Sequence, residues 1–386
     1  MRLINVHTFK FEEFFDNAIP EYAIISHTWG DAEDEEVSHE EFLQQQPATK
    51  NKAGYLKIQK ACHEARERRF DYVWIDTCCI DKTSSAELSE AINSMFRWYE
   101  AAEVCFAYLV DVPPATSRAH DLFEASRWFT RGWTLQELLA PRHLDFFASD
   151  WTFIANRKDI ASRVCIITNI DEVYLIDSAQ ATRTSLLRKA SIAERMSWAS
   201  RRTATREEDV AYSLLGIFGV NMPLIYGEGA KAFLRLQEEI MRSAFDPTLL
   251  CWDAEVDGKP QLRQGAKPFY SWTSAFKALL GLEYPWQILG PLANSKSPTG
   301  HLAPGPECFR HCKDFEPYGT VVDWVATNRG LEITLPKHPG GRPYIAIPCH
   351  LRHDPWNLLA IPLVRGGGTG YWRSSGPTML GRHGEQ

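Results

Sequence analysis

The sequence predicts a doubly wound α/β domain with a parallel sheet, followed by a helical extension and a smaller C-terminal β-rich unit. Over the first 150 residues short apolar runs alternate with helical patterns, the order that builds a parallel sheet. The pattern then turns helical, and beyond residue 250 short runs separated by turns indicate strands. We expect an α/β core at 1–150, a helical extension at 151–250, a β-rich unit at 251–375 and a disordered tail at 376–386.

The elements of the predicted core follow in chain order. The first strand is the apolar run 22–26, and the second is 71–76. Between them lies a helix whose apolar face is formed, at spacings of three and four, by Tyr55, Ile58, Cys62 and Ala65. The third strand is 104–110, a helix covers 122–139 and ends before Pro141, and the fourth strand is 144–147.

Two capping boxes mark predicted helix starts. Ser84 with Glu87 begins the helix before the third strand, and Thr205 with Glu208 begins a helix that Gly219 ends. The turn 227–229 opens a further helix. In the C-terminal unit, strands are predicted at 331–335, 344–347 and 358–361.

Composition excludes several classes of protein. The 386 residues carry 42 Lys plus Arg and 49 Asp plus Glu, a net charge of −7, so we expect no nucleic-acid partner. No apolar run is long enough to span a membrane or to serve as a signal peptide, so a cytoplasmic protein is expected. Nine cysteines, an odd number scattered through a large chain, are typical of reduced thiols.

Polar residues collect where the predicted strands end. Ligands of parallel sheets bind at the carboxyl ends of the strands. The binding residues predicted there are Ser26, His27, Trp29, Gly30, Asp31, Asp76 and Cys78. For Asp76 and for Asp111, which follows the third strand, capping of a loop or helix is the alternative interpretation.

Cysteine chemistry at this edge is the weaker interpretation. His27 with Cys78 or Cys79 could suggest a thiol nucleophile or a metal site, but adjacent cysteines lack the gap of common zinc sites. Buried structural cysteines are favoured, and no metal is assigned.

Glu137 is the candidate acid. Trp133 lies four residues earlier, so the two share a helix face, and partial burial would raise the pKa of the Glu137 carboxyl. The alternative is a solvated or salt-bridged helix glutamate, which spacing alone favours.

Three blocks of sequence resemble the motifs of the fungal heterokaryon incompatibility (HET) domain. They are AIISHTWGD at 23–31, the segment 71–112 that begins DYVWIDTCCID, and WFTRGWTLQELLAP at 128–141. Residues 195–240 resemble the helical extension of that family. The resemblance implies a role in vegetative incompatibility, with cell death triggered by recognition of a different strain.

The HET family is also a remote relative of TIR domains, some of which cleave NAD with a helix glutamate in a W-x-x-x-E setting. This resemblance implies a TIR-like or flavodoxin-like sheet, NAD as a substrate rather than a cofactor, Glu137 as the catalytic residue and Trp133 beside it. Whether the chain is an enzyme stays open. The alternative is a non-catalytic adaptor that acts by forming a homo-oligomer or by binding an incompatibility partner protein.

Overall fold

A computed structural model describes thirteen stretches of the chain, in two compact units. They are residues 1–15, 18–30, 35–114, 119–176, 182–244, 246–252, 286–287, 302–317, 324–327, 330–333, 344–365, 371–373 and 378–380. The first unit comprises Met1–Leu187, Arg202–Thr205 and Tyr212–Leu224, and the second comprises Arg188–Arg201, Arg206–Ala211 and Ile225–Gln386. No helix in the described stretches is both long and apolar enough to cross a membrane.

The first unit is built on a seven-stranded sheet. Its strands are β1 (Arg2–Asn5), β2 (Lys10–Glu13), β3 (Ala23–His27), β4 (Tyr72–Trp74), β5 (Val104–Tyr108), β6 (Leu144–Phe147) and β7 (Phe153–Asn156). Their order across the sheet is β2-β1-β4-β3-β5-β6-β7. The four central strands β4-β3-β5-β6 are parallel, and the outer strands pair antiparallel. The predicted α/β fold with a mostly parallel sheet is confirmed.

Fourteen α-helices and three 3₁₀ helices lie in the described stretches. The α-helices are α1 (His39–Gln44), α2 (Pro47–Lys50), α3 (Ala53–Glu67), α4 (Asp76–Cys79), α5 (Ser85–Ala101), α6 (Ala119–Glu124), α7 (Thr134–Leu139), α8 (Ala161–Thr168), α9 (Glu172–Leu175), α10 (Arg183–Leu187), α11 (Ile192–Ala199), α12 (Asp209–Tyr212), α13 (Leu215–Phe218) and α14 (Lys231–Ser243). The 3₁₀ helices are Arg127–Thr130, Pro247–Leu250 and Pro306–Phe309.

Most of the predicted core elements are present. Ser84 caps α5 by accepting a hydrogen bond from the backbone N–H of Glu87, which is one half of the predicted capping box. The other half is absent, because the Glu87 carboxylate accepts the N–H of Asp81 and the guanidinium of Arg2 instead. Gly219, in the left-handed conformation with φ of 67°, ends α13. Gly216 of α13 lies so close to α5 that an added Cβ would be 2.1 Å from the Cβ of Phe96.

The core differs from the sequence prediction in three places. The sequence did not predict the β1–β2 hairpin and β7, whose strands are only four residues long and carry little apolar alternation. The single helix predicted at 122–139 is instead α6, a 3₁₀ helix and α7. It breaks because Ser126 caps the 3₁₀ helix and the N–H of Gly132 bonds to the carbonyl of Thr203 outside the helix.

The predicted capping box of Thr205 and Glu208 is also wrong. The Oγ1 atom of Thr205 accepts a hydrogen bond from Arg131. The carboxylate of Glu208 accepts the backbone N–H groups of Gly227 and Gly229, so it stabilises the turn before α14. Both side chains are therefore occupied outside any helix start.

The second unit carries the β-rich part of the chain. Its strands are β8 (Trp286–Gln287), β9 (Phe315–Pro317), β10 (Trp324–Thr327), β11 (Gly330–Ile333), β12 (Tyr344–Leu351), β13 (Asp354–Arg365), β14 (Tyr371–Arg373) and β15 (Thr378–Leu380). They form a three-stranded sheet, β10-β11-β8, and a five-stranded sheet, β14-β13-β12-β9 with β15 also on β13. The three predicted strands overlap β11, β12 and β13. The tail that we expected to be disordered contains β15.

The domain boundaries predicted at 150 and 250 stay predictions. The two compact units interleave along the chain, since α11 belongs with the β-rich strands while 212–224 belong with the α/β core.

Candidate functional site

The site lies at the carboxyl edge of the four parallel strands. Taken in chain order these strands stand in the order 2-1-3-4, as in flavodoxin-like sheets, so the connections leave β3 and β5 on opposite sides. Ligands of open α/β sheets bind at such a switch point. Among the described residues, those predicted at the ends of β3 and β4 lie at this edge, as the strand pairing requires.

Strand geometry sends the last two residues of β3 to opposite faces of the sheet. Side chains alternate along a strand, so Ser26 and His27 point in opposite directions. Ser26 bonds to Glu137 of α7, whereas His27 lies near Lys57 of α3. The edge therefore carries two polar clusters, one on each face.

The first cluster is centred on the buried pair of Ser26 and Glu137. The Oγ of Ser26 donates a hydrogen bond of 2.5 Å to Oε2 of Glu137. The same Oγ accepts a hydrogen bond of 2.8 Å from the indole Nε1 of Trp128. Trp128 thereby fixes the direction of the serine proton, which points to the carboxylate.

Burial controls the charge of Glu137. The residue is 7% exposed, and burial raises the pKa of its carboxyl to about 8. The bond from Ser26 lowers this pKa, the charge of Asp76 raises it, and the guanidinium of Arg202 lowers it. Glu137 is thus mostly protonated at neutral pH.

Arg202 is the positive partner on this face. Its Nη1 donates to the carbonyl of Arg131 at 2.8 Å and to Oγ1 of Thr134 at 2.9 Å. Burial lowers the pKa of Arg202 to about 9, and the charge of Glu137 opposes that change. The hydrogen bonds fix the guanidinium at the start of α7, where it can stabilise an ionised Glu137.

The second cluster surrounds His27. Its ring nitrogen Nε2 lies 3.8 Å from Oε1 of Glu36 and 3.7 Å from Oδ1 of Asp76. Burial and the nearby charge of Lys57 lower the pKa of His27 to about 3, so the ring is neutral at physiological pH. These contacts are therefore not ion pairs.

Glu36 joins α3 to the loop after β3. Both of its carboxylate oxygens accept hydrogen bonds of 2.6 Å from Nζ of Lys57. Oε1 also accepts the backbone N–H of Gly30 at 3.2 Å. A Cβ at Gly30 would lie 2.0 Å from the carboxylate of Glu35, so glycine allows this close approach.

Trp29 and Asp76 form the more exposed part of the second cluster. The indole Nε1 of Trp29 donates a hydrogen bond of 2.8 Å to Oδ2 of Asp76. Trp29 is 47% exposed, and Nζ of Lys82 lies 3.7 Å from the centre of its ring. Asp76 is the first residue of α4 and does not cap it, so the capping interpretation is wrong for this residue.

Asp111 follows the capping interpretation instead. Its carboxylate accepts Oγ of Ser126 at 2.7 Å and the backbone N–H of Arg127 at 2.8 Å, at the start of a 3₁₀ helix. The side chain of Arg127 then reaches Oγ1 of Thr28 and the carbonyl of Trp29. Asp111 thus positions the loop after β3 indirectly.

The remaining predicted site residues are placed as follows. Cys78 is buried in α4, and burial raises the pKa of its thiol, which makes it a poor nucleophile. Trp133 precedes α7, where its carbonyl lies 3.5 Å from the N–H of Glu137. Its indole makes no hydrogen bond or ring contact within the described residues. Asp31 lies outside them.

Sequence reasoning missed five residues of the two clusters: Trp128, Arg202, Glu36, Lys57 and Lys82. Nothing in the spacing of Trp128 along the chain points to Ser26. Arg202 follows α11 and is about 65 residues from Glu137 along the chain, so no local pattern joins them. Lys57 stands on the apolar face of α3, a signal that could have found it.

All nine cysteines are free thiols, and most are buried. Within the described part of the chain, no group of three or more His, Cys, Asp or Glu side chains is arranged to hold a metal ion. The chemistry available at the edge is that of one buried carboxyl, one neutral imidazole, hydroxyl groups and paired charges.

The strand order and the buried carboxyl of Glu137 describe an α/β domain with a flavodoxin-like parallel core and a polar site at the carboxyl edge of its strands. Residues 22–117 match the family model described as heterokaryon incompatibility protein (HET). This stretch of the chain therefore carries a HET domain.

One curated relative extends this match. The chain is 45% identical over 229 residues to the vegetative incompatibility protein HET-E-1 of Podospora anserina. The aligned region covers 58% of this chain but only 16% of that protein, so the chain spans under a fifth of its relative's length. No solved structure matches the chain significantly.

Proposed function

We propose that the chain acts in fungal vegetative incompatibility, as an effector whose α/β unit causes cell death by cleaving NAD. The incompatibility role is supported by the HET match and by the similarity to HET-E-1. The observation that carries the chemistry is the Ser26–Glu137 pair, a buried carboxyl held at the carboxyl edge of the first parallel strand.

The reaction breaks the bond between ribose C1′ and the nicotinamide nitrogen. The bonding electrons leave with nicotinamide, which becomes neutral, and C1′ becomes oxocarbenium-like. An ionised carboxylate near C1′ stabilises that positive charge, and water then forms the new bond to C1′ and releases a proton. Glu137 would supply the carboxylate, while Ser26 and Trp128 hold it in one orientation.

The pKa of Glu137 fits this role. At pH 7 only about a tenth of a carboxyl with a pKa of about 8 is ionised. The positive nicotinamide ring would favour ionisation on binding, so the negative charge would form when substrate is present. We expect cleavage to increase with pH up to about 8, since the ionised form is required.

The test is nicotinamide release from NAD by the purified full chain, compared with Glu137→Gln. Gln keeps the shape and can accept the Ser26 hydrogen bond but carries no charge. Removing one stabilising group of this kind typically costs about a hundred- to a thousandfold in rate. Glu124→Gln is the matched control, because Glu124 is an exposed glutamate whose carboxylate pairs with Arg163.

Equal release by wild type and Glu137→Gln would contradict this mechanism. Killing by wild type without any NAD loss would instead favour the adaptor function, which requires surfaces but no chemistry. Killing is read by expression in fungal cells, with protein amounts matched across variants.

A further inference from the structure

The second cluster contains polar atoms that the fold leaves without a partner. His27 is 6% exposed, and neither Nδ1 nor Nε2 makes a hydrogen bond in the described residues. Buried polar atoms are nearly always hydrogen-bonded, so such an imidazole requires explanation. Here the Nε2 edge faces two carboxylates.

The separations around Nε2 leave this ring nitrogen near two carboxylates but bonded to neither. The separations of 3.7 Å to Asp76 and 3.8 Å to Glu36 are too long for direct hydrogen bonds. A ligand oxygen that approaches from the side, once the closed ring edge opens to it, comes within hydrogen-bond reach of both Nε2 and Oδ1 of Asp76. It can accept from Nε2–H and donate to a carboxylate, which is the pattern of a hydroxyl group.

Asp76 is the acceptor that remains available. Both oxygens of Glu36 are bonded to Lys57, and Oε1 also receives Gly30. Oδ2 of Asp76 receives Trp29, whereas its Oδ1, the atom nearest to His27, accepts no hydrogen bond from the described residues. The side chain of Asp76 is 22% exposed, so a ligand can reach it from solvent.

The charges of the cluster favour a neutral ligand group. Lys57 neutralises the charge of Glu36, and the charge of Lys82 interacts favourably with that of Asp76. With a neutral imidazole, the surroundings carry little net charge, and an anion or a second cation would gain little. A group with paired hydroxyls uses both the donor and the acceptor.

We propose that His27 and Asp76 form a hydroxyl-binding subsite that takes a ribose diol of a dinucleotide. The proposal rests on the proposed function for the choice of NAD as ligand. It adds residues on the opposite face of β3 from Glu137, and it assigns them a binding role rather than a catalytic one.

The experiment measures NAD binding by calorimetry in the full chain carrying Glu137→Gln, so that the ligand is not consumed. Adding Asp76→Asn keeps the size of the side chain and an oxygen for Trp29 but removes the charge on the acceptor. We expect at least a tenfold weaker affinity for NAD. Adding Asp71→Asn is the matched control, because Asp71 precedes β4 at the other end of the strand and pairs with His7.

A second measurement separates a diol from other ligand groups. Two analogues of NAD each lack the 2′ and 3′ hydroxyls of one ribose. The analogue that lacks the diol held in the subsite should bind at least tenfold more weakly to the Glu137→Gln chain, and Asp76→Asn should weaken that analogue little further. Equal affinity for NAD and both deoxy analogues would overturn the proposal, because the subsite would then hold a structural water only. Absence of saturable NAD binding would also overturn it.

The two proposals fail in different ways. If the wild-type chain releases no nicotinamide but Glu137→Gln binds NAD through Asp76, the subsite stands and the cleavage proposal does not. If the wild-type chain cleaves NAD and Asp76→Asn changes neither affinity nor KM, the cleavage proposal stands and the subsite does not.

Discussion

The buried carboxyl of Glu137 should make the stability of the first unit depend on pH. In the unfolded chain its pKa returns to about 4.5, whereas in the fold it is about 8. Below pH 4.5 both states hold the proton. Between these pH values the unfolded state releases it and the folded state retains it, so stability falls as pH rises, and above pH 8 the dependence ends.

The magnitude follows from the same pKa values. One pKa unit corresponds to about 1.4 kcal/mol, so between pH 5 and pH 8 Glu137 should reduce the free energy of unfolding by roughly 3 kcal/mol. Glu137→Gln does not titrate. The difference in free energy of unfolding between Glu137→Gln and wild type should therefore change by roughly that amount, in favour of Gln, as the pH is raised.

The assay is peptide-resolved hydrogen exchange across a urea series at pH 5, 6.5 and 8, read on β3 and α7. Reading these elements keeps the second unit out of the measurement. The exposed Glu124→Gln variant should show a difference from wild type that does not change with pH. A Glu137→Gln difference that is equally flat would refute the claim that burial keeps Glu137 protonated in the fold.

Three further outcomes are expected from the fold. Gly216→Ala should lower the free energy of unfolding of the first unit by about 1–3 kcal/mol, because the added Cβ would overlap Phe96. Gly132→Ala should lower it less, because no atom lies nearer than 3.3 Å to the added Cβ, and thermal unfolding of the two variants compares the losses. A thiol reagent should label Cys165 and Cys308 fastest in the native protein and all nine cysteines after unfolding, and a Cys308–Cys312 disulfide in protein from reducing cells would contradict the reduced state. A fragment of residues 1–245 lacks Asp246 and Thr248, which accept hydrogen bonds from the backbone N–H groups of Ile192 and Ala193 at the start of α11. The amide hydrogens of α11 should therefore exchange faster in the fragment than in the full chain, and unchanged protection would show that these caps contribute little.

The parallel core could be predicted because its evidence is local. Apolar runs at 22–26, 104–110 and 144–147 are bounded by turn signals, and each became a strand within one or two residues. The Ser84 box fixed the start of α5 for the same reason, since donor and acceptor are three residues apart. The prediction of a single helix at 122–139 was wrong because the 3₁₀ helix inside it is capped by Asp111, which lies in a different loop and gives no local signal.

The site could be predicted only in part, for a related reason. Alternation along β3 implies that Ser26 and His27 face opposite ways, but the helices that meet them are set by packing. The Ser26–Glu137 bond joins residues 111 apart in sequence, and no spacing predicts it. Glu137 itself was selected through the W-x-x-x-E resemblance, whereas the tryptophan that bonds to its serine partner is Trp128.

The β1–β2 hairpin has a consequence for how copies of the first unit can meet. An open edge strand exposes unpaired N–H and C=O groups and is a template on which another chain can add a strand. At this margin the template is only the four residues of β2, of which Lys10, Glu12 and Glu13 are charged. Glu12 is also held by Asn5 and Tyr72. Aggregation by strand addition is disfavoured at this margin, so the open edge at which a second copy could add a strand is β7, at the opposite margin of the sheet.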